Sequence, residues 1–237
     1  MANQIVKILA GVSWAACVVG VLGVGGCNIL GPVGAVVGRA VPRTIEASYK
    51  GLANQSVVVV VWADRGIRID NPNLQLDLAT GLEQKLKMAQ TDEKPKELIG
   101  ATFPVRADSV ARFQEDHPEM EYEPIEQTAL KFNSMFKATR LIYIEVSDFS
   151  TRSDSSLELH LGNLTGSIKV LEMGDQKAKE AFKESDIHVS FPKDSPPEGL
   201  PIGTDYKIYQ GTLDLFTTQL AERLYAHEPD DDDSAPQ

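Results

Sequence analysis

The chain has 237 residues and a formal net charge of −11 at pH 7. That length allows one sizeable domain or two small ones, and the acidic balance disfavours binding to nucleic-acid phosphates. Its two cysteines both lie in the apolar N-terminal stretch, so the rest of the chain has no thiol for a disulfide, a zinc cluster or a nucleophile.

Residues 1–26 have the layout of a secretory signal. Lys7 precedes an apolar run rich in small residues, which ends in Val24-Gly25-Gly26-Cys27. A cysteine directly after small residues resembles the lipobox of bacterial lipoproteins. That resemblance implies cleavage between Gly26 and Cys27, acylation of Cys27 by lipid chains such as palmitate, and a domain that faces the periplasm from a membrane.

The stretch Ile8–Gly38 carries no charged residue, which leaves a second interpretation open. About 20 apolar residues cross a bilayer, so an uncleaved transmembrane helix is the alternative anchor. Its many glycines and Pro32 disfavour a well-formed helix. Under the sorting rule known for enteric lipoproteins, Asn28 after the cysteine is compatible with the outer membrane.

The folded domain is predicted to begin at Ser56. Residues 27–55 are predicted as a lipidated N-terminus and spacer, with a short helix over Thr44–Leu52. The run Val57–Trp62 is apolar and largely β-branched, which is typical of a strand buried on both faces. We therefore expect helices on both sides of the sheet.

A polar loop over Ala63–Asp70 is predicted to lead from this strand into a helix. Asp70 or Asn71 is expected to cap the helix, and Pro72 suits its first turn. One apolar face is formed by leucines at four-residue spacing: Leu74, Leu78, Leu82 and Leu86.

The later elements follow from apolar periodicity and turn residues. They are a strand over Leu98–Val105, a short helix after Asp108, a helix opened by Pro124, strands over Leu141–Val146, Leu157–Met173 and Phe182–Phe191, and a helix over Tyr206–His227. The predicted fold over 56–227 is α/β (α+β), a single mixed β-sheet with helices packed on it, in the order β-α-β-(α)-α-β-β-β-α. Residues 228–237 are predicted as an acidic, solvated tail.

This order behind a lipobox resembles a group of periplasmic lipoprotein domains. The group comprises the curli secretion lipoprotein, the lipoprotein activator of penicillin-binding proteins and the N-terminal domain of the Tol β-propeller protein. The matching stretches are Val57–Trp62, Leu74–Met88 and Phe132–Phe149. The resemblance implies a protein-binding module at an envelope membrane.

The loop after the first strand holds the candidate ligand-binding residues Asp64, Arg65, Arg68 and Asp70. Ligands of open α/β sheets bind beyond the carboxyl ends of the strands, and arginines there can hold a carboxylate or phosphate through two hydrogen bonds. The alternative is a polar loop whose charges neutralise one another.

No catalytic residue, metal site or cofactor is predicted. The four histidines are not at metal-ligand spacing, and no Gly-x-Ser-x-Gly motif occurs. His160 and His188 are expected on adjacent strands, as a surface or half-buried pair.

The sequence predicts a non-enzymatic envelope lipoprotein that is held to the membrane through Cys27. Its domain is expected to bind an unidentified partner protein in envelope assembly or maintenance. Two alternatives stay open. One is an exported domain that binds an anion or other ligand, including a hydrolase, and the other is a self-assembling structural protein with a transmembrane anchor.

Overall fold

The computed structural model describes residues 44–92, 94–153, 156–193, 196, 199 and 204–229, with backbone alone for Ser156 and Leu157. The predicted signal, its cleavage site at Gly26 and Cys27, most of the spacer and residues 230–237 of the tail lie outside these residues.

Five α-helices and four strands occur in the described residues. The strands are β1 Val57–Ala63, β2 Arg140–Ser153, β3 Ser156–Met173 and β4 Ala178–Phe191. The α-helices are α1 Arg65–Asp70, α2 Leu74–Asp92, α3 Ala107–Asp116, α4 Ile125–Phe136 and α5 Asp205–Glu222. Two 3₁₀ helices, Lys96–Leu98 and Pro118–Tyr122, lie on either side of α3.

The strands form one sheet in the order β1-β2-β3-β4, with β1 parallel to β2 and the other pairs antiparallel. All seven residues of β1 are buried, as the continuous apolar run predicts. This confirms the predicted α/β (α+β) class, a single mixed sheet with helices packed on it.

Around β1 the sheet has a core on each face, because successive side chains of a strand point to opposite sides. The first core lies against α2 and α5 and takes from β1 the side chains of Val57, Val59, Val61 and Ala63. The second core lies against α3 and α4 and takes those of Val58, Val60 and Trp62.

Beyond the end of β1, the described residues cover only one face of the sheet. β1 pairs with β2 as far as Val146, while β2 continues to Ser153. There α5 still packs on the first face, but the second face presents polar side chains. We call this surface the open face, and its members are Asp148, Ser150, Asn163, Thr165, His188 and Ser190.

Hydrogen bonds join neighbouring strands on the open face. The Thr165 hydroxyl lies 3.0 Å from Nδ1 of His188, whose Nε2 lies 3.1 Å from the Ser190 hydroxyl. Ser190 in turn donates to Oδ1 of Asn163 at 2.8 Å. An antiparallel sheet commonly leaves one face to water in this way.

The strand predicted over Leu98–Val105 is wrong. Only Thr102 pairs there, through a single parallel bridge to Ser56. Gly100 adopts a positive φ of 69°, and Pro104 has no N–H to donate to a ladder, so the segment cannot continue as a strand.

The helix predicted over Thr44–Leu52 is also wrong, because the structure has no helix in residues 44–55, which we call the strap. Ala47 and Tyr49 are both buried, which is the spacing of two that an extended chain gives. The folded unit therefore takes in the end of the predicted spacer.

Hydrogen bonds fix the strap to the domain. Ile45 and His227 exchange two backbone bonds of 2.8 and 3.1 Å. Nε of Arg140 donates to the Tyr49 hydroxyl and to the Gly51 carbonyl, both at 3.1 Å. The chain that leads to the predicted anchor thus enters the domain beside the end of α5.

The predicted polar loop over Ala63–Asp70 contains the helix α1. None of its residues is buried, so it lacks the apolar period that marks a helix in a sequence. Asp70 and Asn71 end α1 instead of capping α2 with their side chains. The Leu74 amide at the start of α2 donates to the backbone carbonyl of Asn71, and the Asn71 side chain donates to the carbonyl of Ile67.

Candidate functional site at the carboxyl end of the first strand

The first wall of the candidate site is α1, which turns back over the end of β1. The Asp64 amide makes a long bond to the Val146 carbonyl at 3.4 Å, and Arg68 N then donates to the Asp64 carbonyl at 3.0 Å. This turn places the Arg68 guanidinium 5.9 Å from the centre of the Trp62 ring. A cation over an indole face is an attractive arrangement.

The second wall is the 3₁₀ helix Pro118–Tyr122. Met120 is only 2% exposed and anchors this helix in the second core. The Thr128 hydroxyl of α4 donates to the Met120 carbonyl at 3.4 Å. Tyr122 is left on the outside, 85% exposed.

An ion pair joins the two walls. Nη2 of Arg68 donates to Oε1 of Glu121 at 2.7 Å, and each side chain is 30% exposed. Nε of Arg68 is buried and has no acceptor among the described residues. Arg68 is therefore held by Glu121 and by the Trp62 ring, with donor capacity left over.

A network of charges joins the second wall to α4, which carries Lys131. Nζ of Lys131 lies 3.2 Å from the Glu119 carboxylate and 2.9 Å from that of Glu123. His117 Nδ1 lies 3.0 Å from Glu119. A hydrogen bond from its own backbone N–H, together with His117 and Lys131, lowers the pKa of Glu119 to about 2. The Glu123 and Glu119 carboxylates raise the pKa of Lys131.

The two walls enclose an open cleft of about 340 Å³, lined by Arg65, Arg68, Ile69, Glu121 and Tyr122. Ile69 is 69% exposed. Large exposed aliphatic and aromatic side chains beside arginine are the composition found at the centre of protein–protein interfaces. We call this the α1 cleft.

The cleft contains only part of the predicted ligand loop. Arg65 and Arg68 line it, whereas Asp64 and Asp70 are exposed and do not. Ile69 had a visible signal, a large aliphatic residue within a polar segment. Nothing in the sequence placed Glu121 and Tyr122 beside this loop, because they lie about fifty residues away in the chain and reach the cleft only through the packing of Met120.

A larger groove of about 720 Å³ runs between α2 and α5. Its charged groups are bonded across the groove, since the Tyr209 hydroxyl donates to Asp77 and Lys85 pairs with Asp214, both at 2.7 Å. These contacts brace the two helices. Both sites have exposed apolar side chains, but the α1 cleft differs in that Arg65 has no carboxylate within ion-pair distance in the described residues.

His160 and His188 lie on the adjacent strands β3 and β4, as predicted, but they do not form a pair. His160 lies opposite Arg152 in the ladder and 3.3 Å from Asp205, whereas His188 lies opposite Thr165 on the open face. The described part of the chain contains no group of three or more side chains placed to hold a metal ion. Within the same residues, no helix is long and apolar enough to span a bilayer.

Comparisons with known proteins give a weak likeness at low sequence identity. No protein-family model matches the chain, and no curated protein matches its sequence. Lipoprotein GNA1162 from Neisseria meningitidis is similar with a TM-score of 0.42 and 12% identity, over 71% of this chain and 99% of that one.

Two further solved structures are similar to a comparable degree. The PelC dodecamer from Paraburkholderia phytofirmans gives a TM-score of 0.40 at 8% identity, over 77% of this chain and 96% of the PelC chain. The hypothetical protein CT253 from Chlamydia trachomatis gives 0.37 at 13% identity, over 72% and 98%. At these scores no partner, activity or location carries over to this chain.

Proposed function

We propose that the chain is a membrane-tethered, non-enzymatic envelope lipoprotein whose domain docks a partner protein at the α1 cleft. Acylation of Cys27 holds the protein at the periplasmic face of a membrane, and the strap connects that tether to the sheet. The partner belongs to envelope assembly or maintenance.

The observation that carries the docking proposal is that exposed Tyr122 and Ile69 line one cleft, over a base that an ion pair closes. Arg68, Glu121 and the buried Trp62 ring fix the base, so a partner meets a preformed surface. Binding to a preformed surface avoids much of the entropy cost of ordering loops.

The anchor rests on the sequence alone, and mass spectrometry of protein isolated from envelopes tests it. We expect a mature N-terminus at a lipidated Cys27, and we expect Cys27→Ser to accumulate as an unprocessed precursor. An intact Met1 or Ala2 on the native protein would contradict the lipid anchor and favour the uncleaved helix.

The docking surface is tested by the size of the complex that the full-length chain forms in mild detergent extracts of its own envelopes. Ile69→Asp combined with Tyr122→Asp should remove a discrete complex seen with the native chain. Met135→Asp is the matched control, since Met135 is 61% exposed on α4 and does not line the cleft. The proposal is wrong if both variants keep the complex, or if no complex forms with the native chain.

A further inference from the structure

We propose that the α1 cleft recognises a carboxylate next to a large apolar side chain on a peptide segment of its partner, and that Arg65 is the residue that binds the carboxylate. This inference rests on the proposed docking function and specifies the chemistry of the partner.

The five residues that line the cleft include two guanidiniums and one carboxylate, whereas the whole chain has a net charge of −11. Glu121 is already bonded to Arg68. Arg65 is exposed, and no carboxylate in the described ranges lies within ion-pair distance of it. One positive charge at the mouth of the cleft is therefore available to a ligand.

Arg68 has a different role from Arg65. Its guanidinium is shared between Glu121 and the face of Trp62, and its Nε is buried. It is a positioning residue that holds the two walls together. Arg65, one turn earlier on the same helix, presents the planar fork of donors that matches a carboxylate.

The apolar part of the cleft binds the large apolar side chain that lies next to this carboxylate in the partner. Ile69 and Tyr122 line the cleft together with Arg65 and are among the most exposed large apolar side chains of the described residues. A tyrosine has only two side-chain torsions to order, so it gives a large contact area at a low entropy cost. An apolar side chain of the partner would cover both residues.

The charge also favours a peptide over a phosphate or a lipid headgroup. A single unpaired guanidinium balances the single charge of a carboxylate, whereas binding to an anionic membrane surface relies on clusters of four or more basic residues. The lining offers two apolar residues in place of such a cluster. A vesicle of anionic lipid is nevertheless the right competitor in a test.

Trp62 supplies the signal for that test, because it lies directly under the cleft and Trp14 is the other tryptophan. Protein isolated from envelopes in detergent micelles carries Trp14→Phe in its precursor, so that Trp62 is the one tryptophan whether or not residues 1–26 are removed. It is titrated with acetyl-Leu-Glu-Leu-amide and with acetyl-Leu-Gln-Leu-amide. We expect a saturable change in Trp62 fluorescence with the glutamate peptide and at least tenfold weaker binding of the glutamine peptide.

Arg65→Ala should abolish this preference, and Tyr122→Ala should weaken both peptides alike. Arg112→Ala is the matched control, since Arg112 is exposed on α3 outside the cleft lining, and it should leave the preference intact.

The inference is overturned by equal binding of the two peptides, by no saturable binding of either, or by a preference that survives Arg65→Ala. A response to phosphatidylglycerol vesicles alone would overturn it in favour of a membrane surface.

These outcomes separate this inference from the docking proposal. If the native chain forms the complex that Ile69→Asp and Tyr122→Asp remove, and the peptides show no carboxylate preference, only the chemistry assigned to Arg65 fails. If that complex is absent, the docking function itself fails.

Discussion

Around β1 the sheet is packed on both faces, whereas beyond Val146 α5 covers one face and the other is polar. The two regions are held together by different forces. Apolar burial on two sides fixes the position of Trp62 and therefore the floor of the α1 cleft. Cross-strand hydrogen bonds between partly exposed groups such as Ser190 and Asn163 hold the open face, where water competes for the same bonds. The proposed docking surface therefore lies beside the region of the sheet that is packed on both faces.

The largest expected loss of stability comes from removing the Phe132 ring from the second core. Phe132 is fully buried, with ring centres 5.2 Å from Phe113 and 5.9 Å from Phe136. Phe132→Ala should lower the free energy of unfolding by about 3–5 kcal/mol, measured by urea titration. Met135→Ala, on the exposed side of the same helix, should change it by less than about 0.5 kcal/mol. Equal losses would mean that α4 does not pack on the sheet as described.

A substitution at Gly162 tests how closely α5 approaches the part of the sheet beyond Val146. A Cβ on Gly162 would overlap the side chain of Thr212 and crowd that of Ile208. Gly162→Ala should therefore cost about 1–3 kcal/mol by overpacking. Gly66→Ala is the control, because nothing lies within 4 Å of its Cβ position in α1. Alanine there should stabilise by up to about 1 kcal/mol, and a stabilising Gly162→Ala would contradict the close contact.

Two hydrogen bonds make a third comparison between the regions. Nε2 of buried Gln114 donates to the Val61 carbonyl at 3.0 Å, on the edge of β1 that faces away from β2. Gln114→Ala should cost about 1–3 kcal/mol, because it leaves a buried carbonyl without a donor. Ser190→Ala on the open face should cost about 0.5 kcal/mol or less, since water replaces the lost bond. Chemical denaturation of both variants measures the difference, and a larger loss for Ser190→Ala would reverse the comparison.

The smallest expected effect is the pH dependence of the second wall of the cleft. The folded pKa of Glu119, about 2, lies below its ordinary value of 4.5, so the ionised form favours the folded state. The contribution is full above about pH 4.5 and is lost as the pH falls through about 2. The stability difference between the native chain and Glu119→Gln should therefore shrink from pH 5 to pH 2. A difference that stays constant or grows over this range would show that the carboxylate is not held as described.

The sequence predicted the parts of the fold that depend on apolar periodicity. The run Val57–Trp62 indicated burial on both faces, and the alternation in Leu141–Val146 indicated a strand of the sheet, although β2 is more than twice that length. The Leu98–Val105 segment has enough apolar residues for a strand, but Gly100 and Pro104 prevent the ladder. The strap was missed because its burial depends on contacts with β2 and α5, far along the chain.

The candidate site was only half predictable for a related reason. Arg65 and Arg68 stand out in the sequence as charges after a strand, where ligands of α/β sheets bind. No local pattern places Tyr122 and Glu121 next to α1, since only the burial of Met120 brings them across to it. The helix α1 was not predicted either, because a six-residue helix with no buried side chain has no apolar period in its sequence.

The most direct test of the central claim places the same photo-crosslinking amino acid at Tyr122 in the α1 cleft and at His188 on the open face. Both positions are exposed, so both report what lies against the full-length protein in intact cells. We predict that Tyr122 yields a discrete crosslinked protein and that His188 yields none. A partner captured from His188 and not from Tyr122 would contradict the assignment of the cleft as the docking surface.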